Sequence, residues 1–263
     1  MSKDISPILE GWPHEPGKIS VRKIRGQDGR LKIQLRVDLG VLQMEAEGRP
    51  DGAKPHGFDS LLEYYQKLLE RHRRTTGTDE GFALDERQCE LLRGESAQFY
   101  YRYLSEFVLE EYQPVARDTS RNLRCLDFCA RYGRTEPDRL ALEQYRPYVI
   151  MMNTRARAFL ALQASRPRLA RKIINLALRR LRDYYGRFGQ DELYEHSSEV
   201  SALEAMRKDV EAEIPLDPLA KLRRQLAKAV REERYEEAAR LRDVIARSTL
   251  KPAQPKGNHQ RQS

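Results

Sequence analysis

Between Leu31 and Leu39, apolar and polar residues alternate without a slip: Leu31, Ile33, Leu35, Val37 and Leu39 are separated by Lys32, Gln34, Arg36 and Asp38. A period of two puts every second side chain on one face, so this run predicts a β-strand with one buried side. From Ser60 the period changes. Leu61, Leu62, Tyr65, Leu68 and Leu69 recur at three and four, and Ser60 with Glu63 three residues later has the form of a capping box at a helix start. The chain therefore places a small sheet ahead of a larger helical body, and the predicted class is α+β, mainly α.

Turn chemistry sets the bounds of the sheet. Gly26-Gln27-Asp28-Gly29 joins a weaker strand at 18–25 to the strong one, and Arg49-Pro50-Asp51-Gly52 closes a third at about 41–47. An antiparallel sheet is expected over 18–52, after an irregular arm, 1–17, rich in Pro and Gly. The helical domain is expected over 59–213. Within it, Thr75 to Gly81 ends the first helix, and a second runs from about Asp85 to Tyr112 with an interruption at Gly94. A third runs from Pro114 to Tyr132, a fourth from Glu136 to Gln163 bent at Pro147, and a fifth starts at Pro167 and ends near Gly186 or Gly189. Short loops between such helices imply antiparallel neighbours, either a bundle or a tetratricopeptide-like array whose helix pair would be Arg155 to Phe188. Phe99, Tyr103 and Phe107, spaced by four, read as core rather than as a base-stacking platform.

Charge is segregated along the chain. The net charge is +8 over 263 residues, but Arg121 to Arg187 holds sixteen Lys or Arg against five acids, and Asp191 to Glu213, read as one acidic helix, holds eight acids against two bases. Arg168, Lys172, Arg179 and Arg182 fall near one side of the fifth helix, with Leu169, Ile173, Leu176 and Leu181 expected to pack. Such a row can neutralise phosphates, which makes nucleic acid a candidate partner, or it can be a solvated face paired with the acidic helix.

Little else points to chemistry. His14, His56, His72, His196 and His259 are scattered, and Cys125 and Cys129 share a helix face without the further ligands a zinc site needs, so they read as buried thiols. There is no phosphate-binding glycine loop, no GxSxG and no HExxH. The chain is expected to be non-enzymatic, with no cofactor and no metal. No apolar run approaches the ~20 residues that cross a bilayer. The first residues, MSKDISPILEGWPHEPG, lack the basic end and apolar stretch of a secretory signal, and three unpaired cysteines fit a reducing compartment. The expected location is cytoplasmic.

After a linker at 214–218, Leu219, Leu222, Leu226 and Ala229 recur at three and four, and after Glu232-Glu233-Arg234 the residues Tyr235, Ala238, Leu241 and Ile245 do so again. This is a helical hairpin over 219–248, with Ala238 and Ala239 small enough for close approach, followed by a polar tail over 249–263 expected to be disordered. The hairpin LAKLRRQLAKAVREERYEEAARLRDVI resembles the UVR motif, which excinuclease subunits B and C share and which some chaperone ATPases and their adaptors also carry. The likeness rests on Leu222, Leu226, Ala229, the run Tyr235 to Ala239, and Arg242-Asp243 with Ile245. Tyr235 stands where the motif usually has Phe. VDLGVLQMEAEGRPDG and LEQYRPYVIMM resemble an uncharacterised group of bacterial proteins that carry the motif at the C-terminus. The resemblance implies a protein-docking module, pairing with another UVR hairpin or with a second copy, in excision repair or a chaperone–protease system. The docking residues it implies are Leu222, Leu226, Ala229, Tyr235, Ala238, Ala239, Leu241, Arg242 and Ile245.

Overall fold

The structure is a computed structural model that describes residues 4–214 and 218–249. It divides into two compact units, Met1–Glu211 and Ala212–Ser263. The expected linker at 214–218 and tail at 249–263 fall largely outside the described residues.

In the first unit, β1 (Val21–Arg25), β2 (Leu31–Val37) and β3 (Gly40–Glu45) form an antiparallel sheet in that order. Ile33 lies between Lys23 and Met44 in register, and Leu35 between Val21 and Leu42. The buried face is shorter than the alternation predicts. Ile33, Leu35 and Met44 are buried, but Leu31 is 46% exposed at the strand's start and Leu39, 92% exposed, sits in the β2–β3 turn. The opposite face is also covered. Buried Gln34 accepts from Arg22 Nε at 2.7 Å and donates to Gln43 Oε1 at 2.9 Å, and the Arg22 guanidinium lies 4.1 Å from the Trp12 ring centre. Arg36 Nε donates to the Trp12 carbonyl at 2.9 Å, so the arm, which includes a one-turn helix α1 (Ser6–Leu9), is fastened to the sheet. Mutual hydrogen bonding removes the desolvation cost of that polar row.

The helices start where local chemistry sets them. In α2 (Leu61–Thr76), Ser60 Oγ accepts from Glu63 N at 3.1 Å, and Gly77, at φ 78°, ends the helix. A full capping box between Asp85 and Gln88 opens α3 (Glu86–Val108), which runs through Gly94 without the expected interruption. α4 (Tyr112–Tyr132) follows. The expected helix from 136 to 163 is instead broken into α5 (Glu136–Leu140), a 3₁₀ turn (Glu143–Tyr145) and α6 (Arg146–Gln163). Pro147 begins α6 rather than bending it, because its missing N–H costs nothing in a first turn. α7 (Pro167–Arg187) matches its expected start. The acidic segment is two helices, α8 (Asp191–His196) and α9 (Ser198–Glu213), with Ser197 Oγ accepting from Val200 N at 3.2 Å at the break.

Consecutive long helices pack on one another, α3 on α4, α4 on α6 and α6 on α7. Ala156, Ala158 and Ala161 of α6 and Ala170 and Ala177 of α7 are buried in one core with Ile174 and Leu181, and such small side chains let two helix backbones come close. A second core gathers Leu62, Leu69, Leu92 and Leu126 with all three cysteines, Cys89, Cys125 and Cys129, which are free thiols. Phe99 and Tyr103 are core residues, as their spacing predicts.

Charges are buried where sheet and helices meet. Arg102 forms a two-pronged pair with Asp118 (2.6 and 3.0 Å) and donates from Nη1 to the carbonyls of Glu45 and Gly48 (3.0 and 2.8 Å). Glu95 accepts from the first two amides of α2, Leu61 N at 2.7 Å and Leu62 N at 3.4 Å, and pairs with Arg121 and with Arg49, the latter at 3.1 Å. Glu106, beside this cluster, has a carboxyl oxygen without a hydrogen-bond partner. Burial, assisted by the Asp118 carboxylate and opposed by Arg102 and Arg117, pushes its carboxyl up to about 8. The native state thus holds a proton that the unfolded state has released, between the ordinary carboxylate range and about pH 8, and stability falls as pH rises through that window. Glu106→Gln should flatten this decline, with the variant the more stable at pH 8. Urea midpoints measured from pH 5 to pH 8.5 check it, and parallel curves for the two proteins would refute it.

Candidate interaction surfaces

The second unit is the predicted hairpin, α10 (Pro218–Arg231) and α11 (Tyr235–Thr249) packed together. Glu233 makes the turn at φ 57°. Arg234 N donates to the Ala229 carbonyl at 2.8 Å and Glu233 N to that of Val230 at 3.2 Å, which satisfies the last carbonyls of α10. The residues proposed for docking separate into three groups. Ala229 and Ala238 are buried, on either side of the turn. Leu222, Leu226, Leu241 and Ile245 are half-buried, while Tyr235, Ala239 and Arg242 are exposed.

Tyr235 is 67% exposed at the first position of α11, and Val230 and Val244 are 51% and 44% exposed. Val230 escaped sequence reading, although it lies four residues after Leu226. Around these apolar groups the charges are paired or solvated: Arg234 with Glu232 at 2.5 Å and with Glu237, and Arg242 with Asp243 at 3.2 Å. The hairpin has an inner seam of small and aliphatic residues and an outer set of large apolar ones that are exposed.

The second candidate surface lies on α7. Arg168, Lys172 and Arg179 are exposed, and no carboxylate among the described residues lies within ion-pair distance of them. Arg182 is 3.8 Å from Glu195 and lies over the Tyr194 ring at 4.5 Å. The packing stripe differs from the predicted one: Ala170, Ile174, Ala177, Leu178 and Leu181 are buried, while Leu169 and Leu176 face solvent. At 100° per residue, that stripe sits opposite the cation row. Two other arginines of the basic region leave the surface altogether. Arg121 is buried against Glu95, and Arg146 is buried between Glu143 and Asp127. Their buried acid partners lie 3 to 26 residues away, so charge counting along the chain does not reveal them.

Three of the scattered histidines have structural partners. His14 pairs with Asp38 at 3.0 Å, His56 stacks on Tyr64 at 4.0 Å, and His72 Nε2 meets the Glu80 carbonyl at 2.8 Å. His259 lies outside the described residues. Among the described residues, no group of His, Cys, Asp or Glu is arranged to hold a metal ion, and no helix is long and apolar enough to cross a membrane.

No curated protein and no solved structure matches the chain. Residues 217–248, which span α10 and nearly all of α11, match the family model of the UvrB/uvrC motif.

Proposed function

We propose that this chain is a non-enzymatic docking protein whose C-terminal UVR hairpin captures a protein partner, either another UVR hairpin or a second copy, in excision repair or a chaperone–protease system. The observation that carries this reading is the exposure of Tyr235, Val230 and Val244 on a hairpin that already buries Ala229 and Ala238. Two helices of 14 and 15 residues are marginal alone, because nucleating so short a helix is costly. Covering the outer apolar residues with a partner adds what the hairpin lacks. Large aromatic side chains dominate interfaces of this size, and truncating such an anchor costs about 2 kcal/mol or more.

The test is a pull-down with the full chain, the chain lacking residues 216–263, and Tyr235→Ala. Truncation should abolish capture of the specific partner, and Tyr235→Ala should weaken it roughly thirtyfold, the equivalent of about 2 kcal/mol. If every captured protein persists after truncation, the hairpin is not the docking element.

A second reading is supported by the cation row on α7: the protein binds nucleic acid through Arg168, Lys172, Arg179 and Arg182. Binding through phosphates depends on salt, with a slope of about 0.9 per neutralised phosphate on duplex DNA. Replacing Arg168, Lys172 and Arg179 with Ala should reduce the slope of log affinity against log salt by roughly 2 to 3. Absence of binding to mixed-sequence DNA and RNA at low salt would end this reading and leave the docking role standing.

A further inference from the structure

Helices α3, α4 and α6, with the connection from Ala141 to Tyr145, enclose a hollow of about 760 Å³ in the first unit. That volume is within the range of small-molecule sites, about 300–1,000 Å³. Tyr100, Tyr103, Tyr145 and Tyr148 line it together with aliphatic side chains. Three of the rings form a corner: Tyr100 meets Tyr103 edge-on at 5.6 Å and 89°, and Tyr148 at 5.9 Å and 61°. Burial pushes the Tyr103 phenol far up and that of Tyr148 up to about 12, so both rings are uncharged at neutral pH and add no negative charge to the wall.

The polar part of the wall decides the ligand's charge. Ser96 and Asn122 are committed to the protein: Ser96 Oγ donates to Cys125 Sγ and accepts from Arg121, and Asn122 bonds the Ser96 carbonyl and Arg121. Arg93 also lines the hollow, half-buried, and no carboxylate among the described residues is within ion-pair distance of it. The lining contains no acidic residue. A ring of tyrosines can hold a quaternary ammonium, but such a cation would here meet an unpaired guanidinium and no counter-charge. A guanidinium fork on an aromatic-walled cavity instead fits a flat ligand ending in an anion.

We propose that this hollow binds an aromatic acid, its ring against Tyr100 and Tyr148 and its anionic group on Arg93. The proposal is independent of the hairpin's role, and either can fail alone. The experiment titrates the full chain with 8-anilinonaphthalene-1-sulfonate and with N-phenyl-1-naphthylamine, which has the same rings without the sulfonate. Phenyltrimethylammonium serves as the cationic competitor. The sulfonate should bind one per chain, and Arg93→Met should weaken it about tenfold, as expected for a charge-assisted bond, while changing the neutral probe less than twofold. Ala97→Trp on α3 and Gln144→Trp at the exposed rim each fill the hollow from a different element, and both should remove both probes. Urea midpoints show which variants are folded, and either filled variant suffices. The proposal is overturned if the sulfonate does not bind, if it binds a folded filled variant as well as the parent, if Arg93→Met weakens both probes alike or neither, or if the ammonium displaces it at lower concentration than an aromatic carboxylate does.

Discussion

Arg102→Met should lower the unfolding free energy by about 3–5 kcal/mol, the usual cost of removing one partner of a buried ion pair. Arg102 is 1% exposed and holds both oxygens of Asp118, which is as deeply buried. After the substitution, Asp118 keeps only Arg117, whose Nε is 2.8 Å away, and the carbonyls of Glu45 and Gly48 lose their donor. Those carbonyls belong to the end of β3 and the turn after it, so the loss weakens the attachment of sheet to helices as well as the global fold. Urea unfolding gives the size of the effect. Hydrogen exchange gives its place, with β3 amides expected to lose protection ahead of those in α6 and α7. Adding Asp118→Leu should recover part of the stability, because removing both charges leaves nothing buried without a partner. A variant within about 0.5 kcal/mol of the parent, the usual size of a surface substitution, would refute this account.

Glu95→Ala should have an effect of the same order, about 3–5 kcal/mol. It strips Arg121, itself buried, of its carboxylate and leaves the Leu61 and Leu62 amides without their acceptor. Arg121 also lies 4.4 Å from the centre of the Phe99 ring and bonds Ser96 and Asn122, so the damage should spread into the α3–α4 contact. Glu95→Gln keeps an acceptor for the α2 amides but not the charge, and should fall between parent and Ala. Exchange of the α2 amides separates the two roles: Glu95→Ala should expose them, and Glu95→Gln should leave them largely protected. Equal behaviour of the two variants would mean that capping contributes nothing here.

These positions also show where reading the chain in one dimension succeeds. The turn at Gly26 to Gly29, the Ser60 cap, the Asp85 start and the Pro167 start are all where the residues place them, since each depends on partners within three or four positions. The second helix ends at Val108, four residues before the expected Tyr112, whereas the end of α6 at Gln163 and the turn at Glu232 to Arg234 are where the sequence places them. α3, α6 and α10 are followed by Glu110, Ser165 and Glu233, with φ 58°, 56° and 57°, and none of these is the glycine that normally marks such a stop. In each, two backbone bonds turn back onto the last carbonyls, Glu111 N to Glu106 O at 2.9 Å and Arg166 N to Ala161 O at 2.8 Å among them. Gly94, by contrast, sits inside α3 with nothing within 4 Å of where a Cβ would be, so nothing there requires a glycine.

The docking residues divide along the same line. Leu222, Leu226, Ala229, Ala238, Leu241 and Ile245 are legible as one seam from spacing alone, because a helix repeats every 3.6 residues whatever it packs against. That Tyr235 stands outside the seam follows from its place at the first turn of α11, next to a bend whose geometry no periodicity encodes. The tyrosine-lined hollow is only partly legible along the chain: a helical period puts Arg93, Ala97 and Tyr100 on one face of α3, but only packing gathers that face with Asn122, Leu142 and Tyr148 around one cavity. Alternation, capping and heptad-like spacing are short-range physics and are written in the chain, including the UVR hairpin. Which charges are buried, which arginines stay in water and where a cavity opens depend on contacts between distant segments, whose energies balance only once the helices and sheet have met.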